Sequence, residues 1–386
     1  MRLVGAFLGL LLCAGCGVTD TVSRYITGGK DNAEPPSPLV AFQTRLKVIE
    51  LWTKDTGGVD EQYLKLAPVV SGQRLFIADP DGEIEAFDAT NGSSLWSTDV
   101  DERITGGPGS GENVVLAGTG EGQTISMGAD NGKVQWRAQL SSEILSPPQK
   151  RDGVVVVRTN DGKIFGLEGT RGRRLWIYDR SVPALTLRGT SAPVIDSGVV
   201  VAGFDAGRLA ALELKTGRLL WETTIATARG RSELERMVDI DSDPLIFDGI
   251  IYVASFQGQL AAVQMDSGRI LWTRDVSSYS GFSVDSDYLY LSDEDSHIWA
   301  FDRFTGTTIW RQEKLHARAI TGPAWIGDYI VVGDLEGYLH WMDKRTGEFV
   351  ARIRMSDERI IAKPVVVGKV LYAYCSDGTL ASYTYR

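Results

Sequence analysis

The residues that could do chemistry are few and poorly spaced for it. The densest acidic run, Asp239-x-Asp241-x-Asp243, has the alternation that opens a calcium loop. Such a loop needs Gly at its sixth position and a bidentate Glu at its twelfth, and Pro244 and Ile250 stand there instead. Asp79-x-Asp81 and Asp293-x-Asp295 sit beside reversals of the chain, where carboxylates bond local N–H groups or face water. His297, His316 and His340 have no mutual ligand spacing, so structural imidazoles are expected. Neither a Gly-x-x-x-x-Gly-Lys-Ser/Thr phosphate loop nor a Gly-x-Ser-x-Gly elbow occurs. Cys375 ends the apolar run Leu371–Cys375 and is expected to be a small buried residue. These residues predict no catalytic centre, no metal site and no cofactor.

Without catalytic groups, function must come from shape, and composition already limits the shape. The 386 residues are 43% hydrophobic and 23% charged, enough to bury a core. There are 43 Gly but only 13 Pro, with no Gly-X-Y period, which points to many tight turns. The net charge of −10 argues against general nucleic-acid binding, which depends on neutralising phosphates.

One unit repeats along the chain. Its clearest copy runs from Asp81-Gly82 through Ile84-Glu85-Ala86-Phe87 to Asn91-Gly92, with Trp96 four residues on. The pattern returns as Gly122, Gly132, Trp136; Gly162, Gly172, Trp176; Gly207, Gly217, Trp221; and Gly258, Gly268, Trp272. A sixth copy has Ser296 in the first turn, then Gly306 and Trp310, and a seventh has Gly337 and Gly347 with Ala351 in place of Trp. The two turns lie ten residues apart in all seven. Each copy reads as four antiparallel strands, the turns made by residues that tolerate positive φ. Inner strands are expected to start at Pro68, Pro108, Pro148, Pro193, Pro244, Ser283, Pro323 and Pro364, giving eight units. The last copy, beginning at Asp377-Gly378, ends before any outer strand, while Val48–Trp52 is an unassigned outer strand at the other terminus. The expected fold is therefore all-β: an eight-bladed propeller of four-stranded blades over 39–386, closed by the N-terminal strand completing the C-terminal blade. The Trp signature resembles the docking motif of quinoprotein propellers. It assigns blade-docking roles to Trp52, Trp96, Trp136, Trp176, Trp221, Trp272 and Trp310. Quinoprotein dehydrogenases also carry a vicinal Cys pair, and this chain has none.

The first residues read as an address. Arg2, the apolar run Leu3–Leu12 and Cys13-Ala14-Gly15-Cys16 resemble a bacterial lipobox, although Cys13 replaces the usual Leu. That resemblance implies a signal over 1–15 and a lipid on Cys16. Gly17 after it favours the outer membrane. Residues 16–38, ending Pro35-Pro36-Ser37-Pro38, lack a hydrophobic period and read as a flexible tether spanning roughly 25 Å on average.

Insertions in a repeat protein map to loops, often on the binding face. Trp96→Pro108 and Trp136→Pro148 are both 12 residues, but Trp176→Pro193 is 17 and Trp221→Pro244 is 23. These neighbouring loops enlarge one patch over blades three to five. The first contains Leu185-Thr186-Leu187-Arg188-Gly189; the second contains Glu233-x-x-Arg236-x-x-Asp239-x-Asp241. An apolar interface centre beside Arg188 and a loop folded back on its blade are both compatible with these residues. Taken together, the lipobox, tether, eight repeats and two loops are similar to the BamB family of outer-membrane protein assembly factors. That resemblance implies a non-enzymatic scaffold of the barrel-assembly machinery, lipid-anchored at the periplasmic face of the outer membrane. Its partners would be the POTRA domains of BamA, with outer-membrane protein precursors as a further possibility. The implied contacts are Leu185, Leu187, Arg188, Asp239 and Asp241, with Arg236 either contacting the partner or bracing its loop. The alternative is a periplasmic glycan-binding propeller using Trp299, Trp325 and Trp341.

Overall fold

Short β-branched runs separated by Gly turns can bury both faces only if each small sheet packs against another, and that is what the repeats do. The computed structural model describes residues 34–59, 64–179, 191–226, 239–240, 242–255, 258–278 and 280–386. The chain divides between Pro36 and Ser37. Of the first unit only 34–36 are described, and every strand belongs to the second. No α-helix occurs among the described residues, and none of them forms a helix able to cross a membrane.

There are eight sheets, each with four antiparallel strands that we letter A (inner) to D (outer). Blade 1 comprises Val69–Ser71, Arg74–Ala78, Glu83–Asp88 and Ser94–Asp99, and the pattern continues to blade 7, which ends at Phe349–Arg354. In blade 8, strands A to C are Val365–Val367, Val370–Tyr374 and Thr379–Tyr385, and strand D is Val48–Asp55 from the other terminus. The register runs from Val48 opposite Tyr385 to Asp55 opposite Thr379. Successive inner strands touch, and Val69–Ser71 touches Val365–Val367, closing the ring. Blade 2 departs from the expected start at Pro108. Its inner strand runs Ile104–Gly111, because Lys65–Leu66 pairs in parallel with Gly106 and Gly107 and adds a fifth strand.

The seven repeat Trp share one geometry. Each indole Nε1 donates to the carbonyl three residues ahead of the C–D turn Gly of the next blade. Examples are Trp52 to Ala89 at 3.1 Å, Trp176 to Leu214 at 2.8 Å and Trp310 to Lys344 at 2.9 Å. The ring then covers that Gly. Gly172 has φ +68°, and a Cβ there would lie 2.4 Å from the Trp136 ring. The turn therefore needs Gly twice, for its backbone and for its neighbour's indole.

Blade 7 carries Ala351 for a reason the closure supplies. Strands C and D of blade 8 come from opposite chain termini, so no C–D turn exists for an indole to cover. Leu46 fills the space instead, buried with Val350, Ala351, Trp341 and Tyr383. Residues 37–46 run along the outer strand of blade 7. The Arg45 and Leu46 N–H groups donate to Val350 O at 2.9 and 3.3 Å, and the Phe42 ring packs tilted against Phe349, 5.5 Å between centroids. A buried polar network grips this segment. Arg318 donates to Ser37 O (3.0 Å) and to Asp334 (2.8 Å). Arg352 donates to Val40 O (3.1 Å) and to His340 Nδ1 (3.1 Å). His340 Nε2 lies 2.8 Å from Asp334 Oδ2.

Candidate functional site

Strands alternate in direction, so the B–C turns and the D–A links emerge together on one face of the ring. The hydrogen bonds follow this: the Gly120 N–H donates to Arg103 O, Asn160 to Glu143 O, Ala317 to Asp295 O and Ser376 to Arg359 O. The two long loops are D–A links of this face. Leu185, Leu187, Arg188, Arg236 and Asp241 lie outside the described residues, as does Cys16. The ends at which those loops rejoin the ring are described.

Both loops return onto blade 4. In the first, Arg158 at the end of strand B of blade 3 is buried, and its guanidinium donates to Ser191 O (3.2 Å), Ser191 Oγ (3.1 Å) and Gly203 O. In the second, Ile240 is buried so tightly against Gly203 that a Cβ there would lie 2.3 Å from it. The two feet are joined directly, since the Ala192 N–H donates to Asp243 at 2.6 Å. Asp239 is 5% exposed and accepts the Ala206 N–H at 3.0 Å, so its carboxylate is engaged within the ring. Burial raises the Asp205 carboxyl above its ordinary value; Arg158 opposes the rise and Asp239 adds to it. The loops thus stand on one braced, charged footing.

Arg158 and Asp243 carry this footing, and neither belongs to the repeat motif. A charge closing the run Val154–Val157 is a usable signal, as is an acid directly ahead of a strand-starting Pro. Spacing also hid a histidine pair. His297 and His316 stack at 5.2 Å, and one carboxylate oxygen each of Asp293 and Asp295 lies within 4.8 Å of the His297 ring nitrogen. Asp293 there accepts the N–H groups of Asp295 (3.1 Å) and His297 (2.8 Å) and the Trp299 indole (2.8 Å). The Arg311 guanidinium lies 2.9 Å from His297 Nδ1, where it already supplies positive charge. That arrangement reads as a structural turn.

The Trp residues outside the docking positions do not share an open groove. Trp341 is fully buried against Tyr329 and Tyr385, and Trp299 stacks on Phe301 at 5.7 Å. Trp325 alone of the three is more than a third exposed, on the inner strand of blade 7. Cys375 is buried and unpaired, its thiol pushed up to about 12 by burial.

Comparison with known proteins identifies the ring. Residues 80–312 and 300–386 match the family described as outer membrane protein assembly factor BamB. A relative of that name from Alkalilimnicola ehrlichii is 46% identical over 333 residues, 86% of this chain and 87% of its own. The chain belongs to the BamB family. The crystal structure of BamB from Moraxella catarrhalis superposes with a TM-score of 0.80 at 30% identity, covering 88% of this chain and all of that one. A quinohemoprotein alcohol dehydrogenase from Comamonas testosteroni has a TM-score of 0.68 at 14% identity, over 87% of this chain and 76% of its own. This second likeness is one of fold alone.

Proposed function

We propose that this chain is a non-enzymatic scaffold for assembling outer-membrane β-barrel proteins, held by lipid on Cys16 at the periplasmic face of the outer membrane. The patch of the two long loops docks on the POTRA domains of BamA. Leu185 and Leu187 supply apolar contact, and Arg188 fixes orientation. Asp241 and Arg236 are polar candidates from the second loop. Asp239 belongs to the footing and acts by holding that loop. The observation supporting this reading is the Ala192–Asp243 bond, which ties the feet of both loops together on blade 4. A footing shared by two loops lets them meet a partner as one surface, which lowers the ordering cost of binding.

The test is recovery of BamA from solubilised native membranes by the wild-type chain and by Arg188→Ala. The proposal expects recovery by wild type and loss of most of it by the variant. Equal recovery would refute the site, and no recovery by wild type would refute the function.

A further inference from the structure

The inner strands of the eight blades meet one another around the ring, and among them blades 5 to 8 carry a charged feature. In six of the eight repeats the residue ahead of the inner-strand start is Ala, Gly, Pro or Phe. In blade 5 it is Asp243 and in blade 8 it is Lys363. Asp243 bonds the Ala192 N–H on the blade 4 side. Lys363 reaches past blade 7, its Nζ donating to Phe282 O of blade 6 at 2.7 Å. The ammonium therefore bridges from the foot of blade 8 to the inner strand of blade 6. Burial pushes its pKa down to about 8, with Asp243 opposing the fall.

Beside it is a cavity of about 200 Å³ walled by inner strands of blades 5 to 8, with Leu245, Val284, Trp325 and Val366 lining it alongside Lys363. Trp325 is 38% exposed, and its Nε1 bond to Gly327 O (2.7 Å) fixes the ring as a flat wall. Lys344, 5.7 Å from that ring, is neutralised by Asp285 at 2.9 Å. The wall thus offers an ammonium, an aromatic face and aliphatic surface in a space the size of one substituted ring.

We propose that this cavity binds a small aromatic monocarboxylate, its carboxylate on the Lys363 ammonium and its ring against Trp325. Asp243 already offsets part of the Lys363 charge, so the site can accept at most one further negative charge, and a phosphate dianion would leave charge buried without a partner. An anion beside Lys363 restores the charged form that burial disfavours, so binding and protonation support each other. The cavity is lined by inner-strand residues of blades 5 to 8 rather than by the long loops, although Asp243 of the loop footing acts on the same ammonium.

Benzoate, with neutral benzamide as control, tests the site on the folded chain by saturation-transfer NMR. Lys363→Met is compared with Lys369→Met, an exposed lysine of the same blade. The expected result is saturable benzoate binding by wild type and Lys369→Met. Benzamide binding, and benzoate binding by Lys363→Met, should both be weakened at least tenfold. Benzoate should also protect Lys363 of the wild type from acetylation, mapped by mass spectrometry, an arm that stands if the variant fails to fold. Equal benzoate binding by wild type and Lys363→Met, or no protection of Lys363, would overturn the proposal.

Discussion

Two kinds of blade junction hold this ring, and they differ in where the sealing group comes from. At seven junctions a Trp on strand D closes over a Gly of the next C–D turn and donates to a carbonyl three residues ahead of it. At the eighth, between blades 7 and 8, Ala351 faces a sheet without a C–D turn, and Leu46 from residues 37–46 seals it, while Phe42 of the same segment packs on Phe349 toward blade 6. A repeat can use one local device wherever its neighbour is a complete repeat. Where the chain closes on itself, the seal has to come from sequence outside the repeat.

Breaking the closure should have the largest effect. Deleting the chain through Asp55 removes strand D of blade 8 and leaves Thr379–Tyr385 as an open edge. Loss of a cooperative thermal transition, read by calorimetry, is expected. Trp176→Ala removes an ordinary junction's indole and should cost roughly 3–5 kcal/mol in denaturant unfolding. Leu46→Ala should cost roughly 2–4 kcal/mol at the seam, close to the Trp loss although it lies outside every repeat. Adding the missing residue by Ala351→Trp should destabilise by about 1–3 kcal/mol, because the space is already filled.

The smallest effect separates the two junction types by pH. His340 is fully buried, and burial holds its pKa below that of an ordinary imidazole despite Asp334; Arg352 and Arg318 add to the fall. Burial alone would raise Asp334, yet His340, the Tyr338 N–H and Arg318 hold it below the usual carboxylate range. Glu336 faces the same network through Arg318. As pH falls through about 6.5 the unfolded imidazole takes a proton that the folded one resists, so stability declines toward acid. Asp334 adds a loss of the same sign below about pH 4. Hydrogen exchange of residues 37–46 should therefore accelerate between pH 7 and 5, while amides at the Trp176 junction follow only the intrinsic rate. His340→Gln should flatten the difference.

The ring was legible because its signals are local. Gly82 and Gly92, repeated ten apart with Trp96 after them, report a turn, a strand and a dock within fifteen residues. Ala351 was legible as a departure, but its cause was not, since the missing turn follows only from joining Tyr385 to Val48. Phe42 and Leu46 have no period, so the packing of one and the burial of the other depend on partners some 300 residues away. The positions of the two long loops were readable from link lengths. Their footing was not: Arg158, Ser191 and Asp243 come from three different segments and meet only in the folded ring. Lys363 stands before a Pro without any motif around it, and only the folded ring places its ammonium on Phe282 O.

On the proposed reading, the face carrying the two long loops meets BamA. The most direct test of that contact is site-specific photo-crosslinking in intact cells, with the probe at position 187 in the first long loop and at position 345 in a C–D turn of the opposite face. An adduct with BamA is expected from 187 and none from 345. An adduct from 345 without one from 187 would contradict this reading.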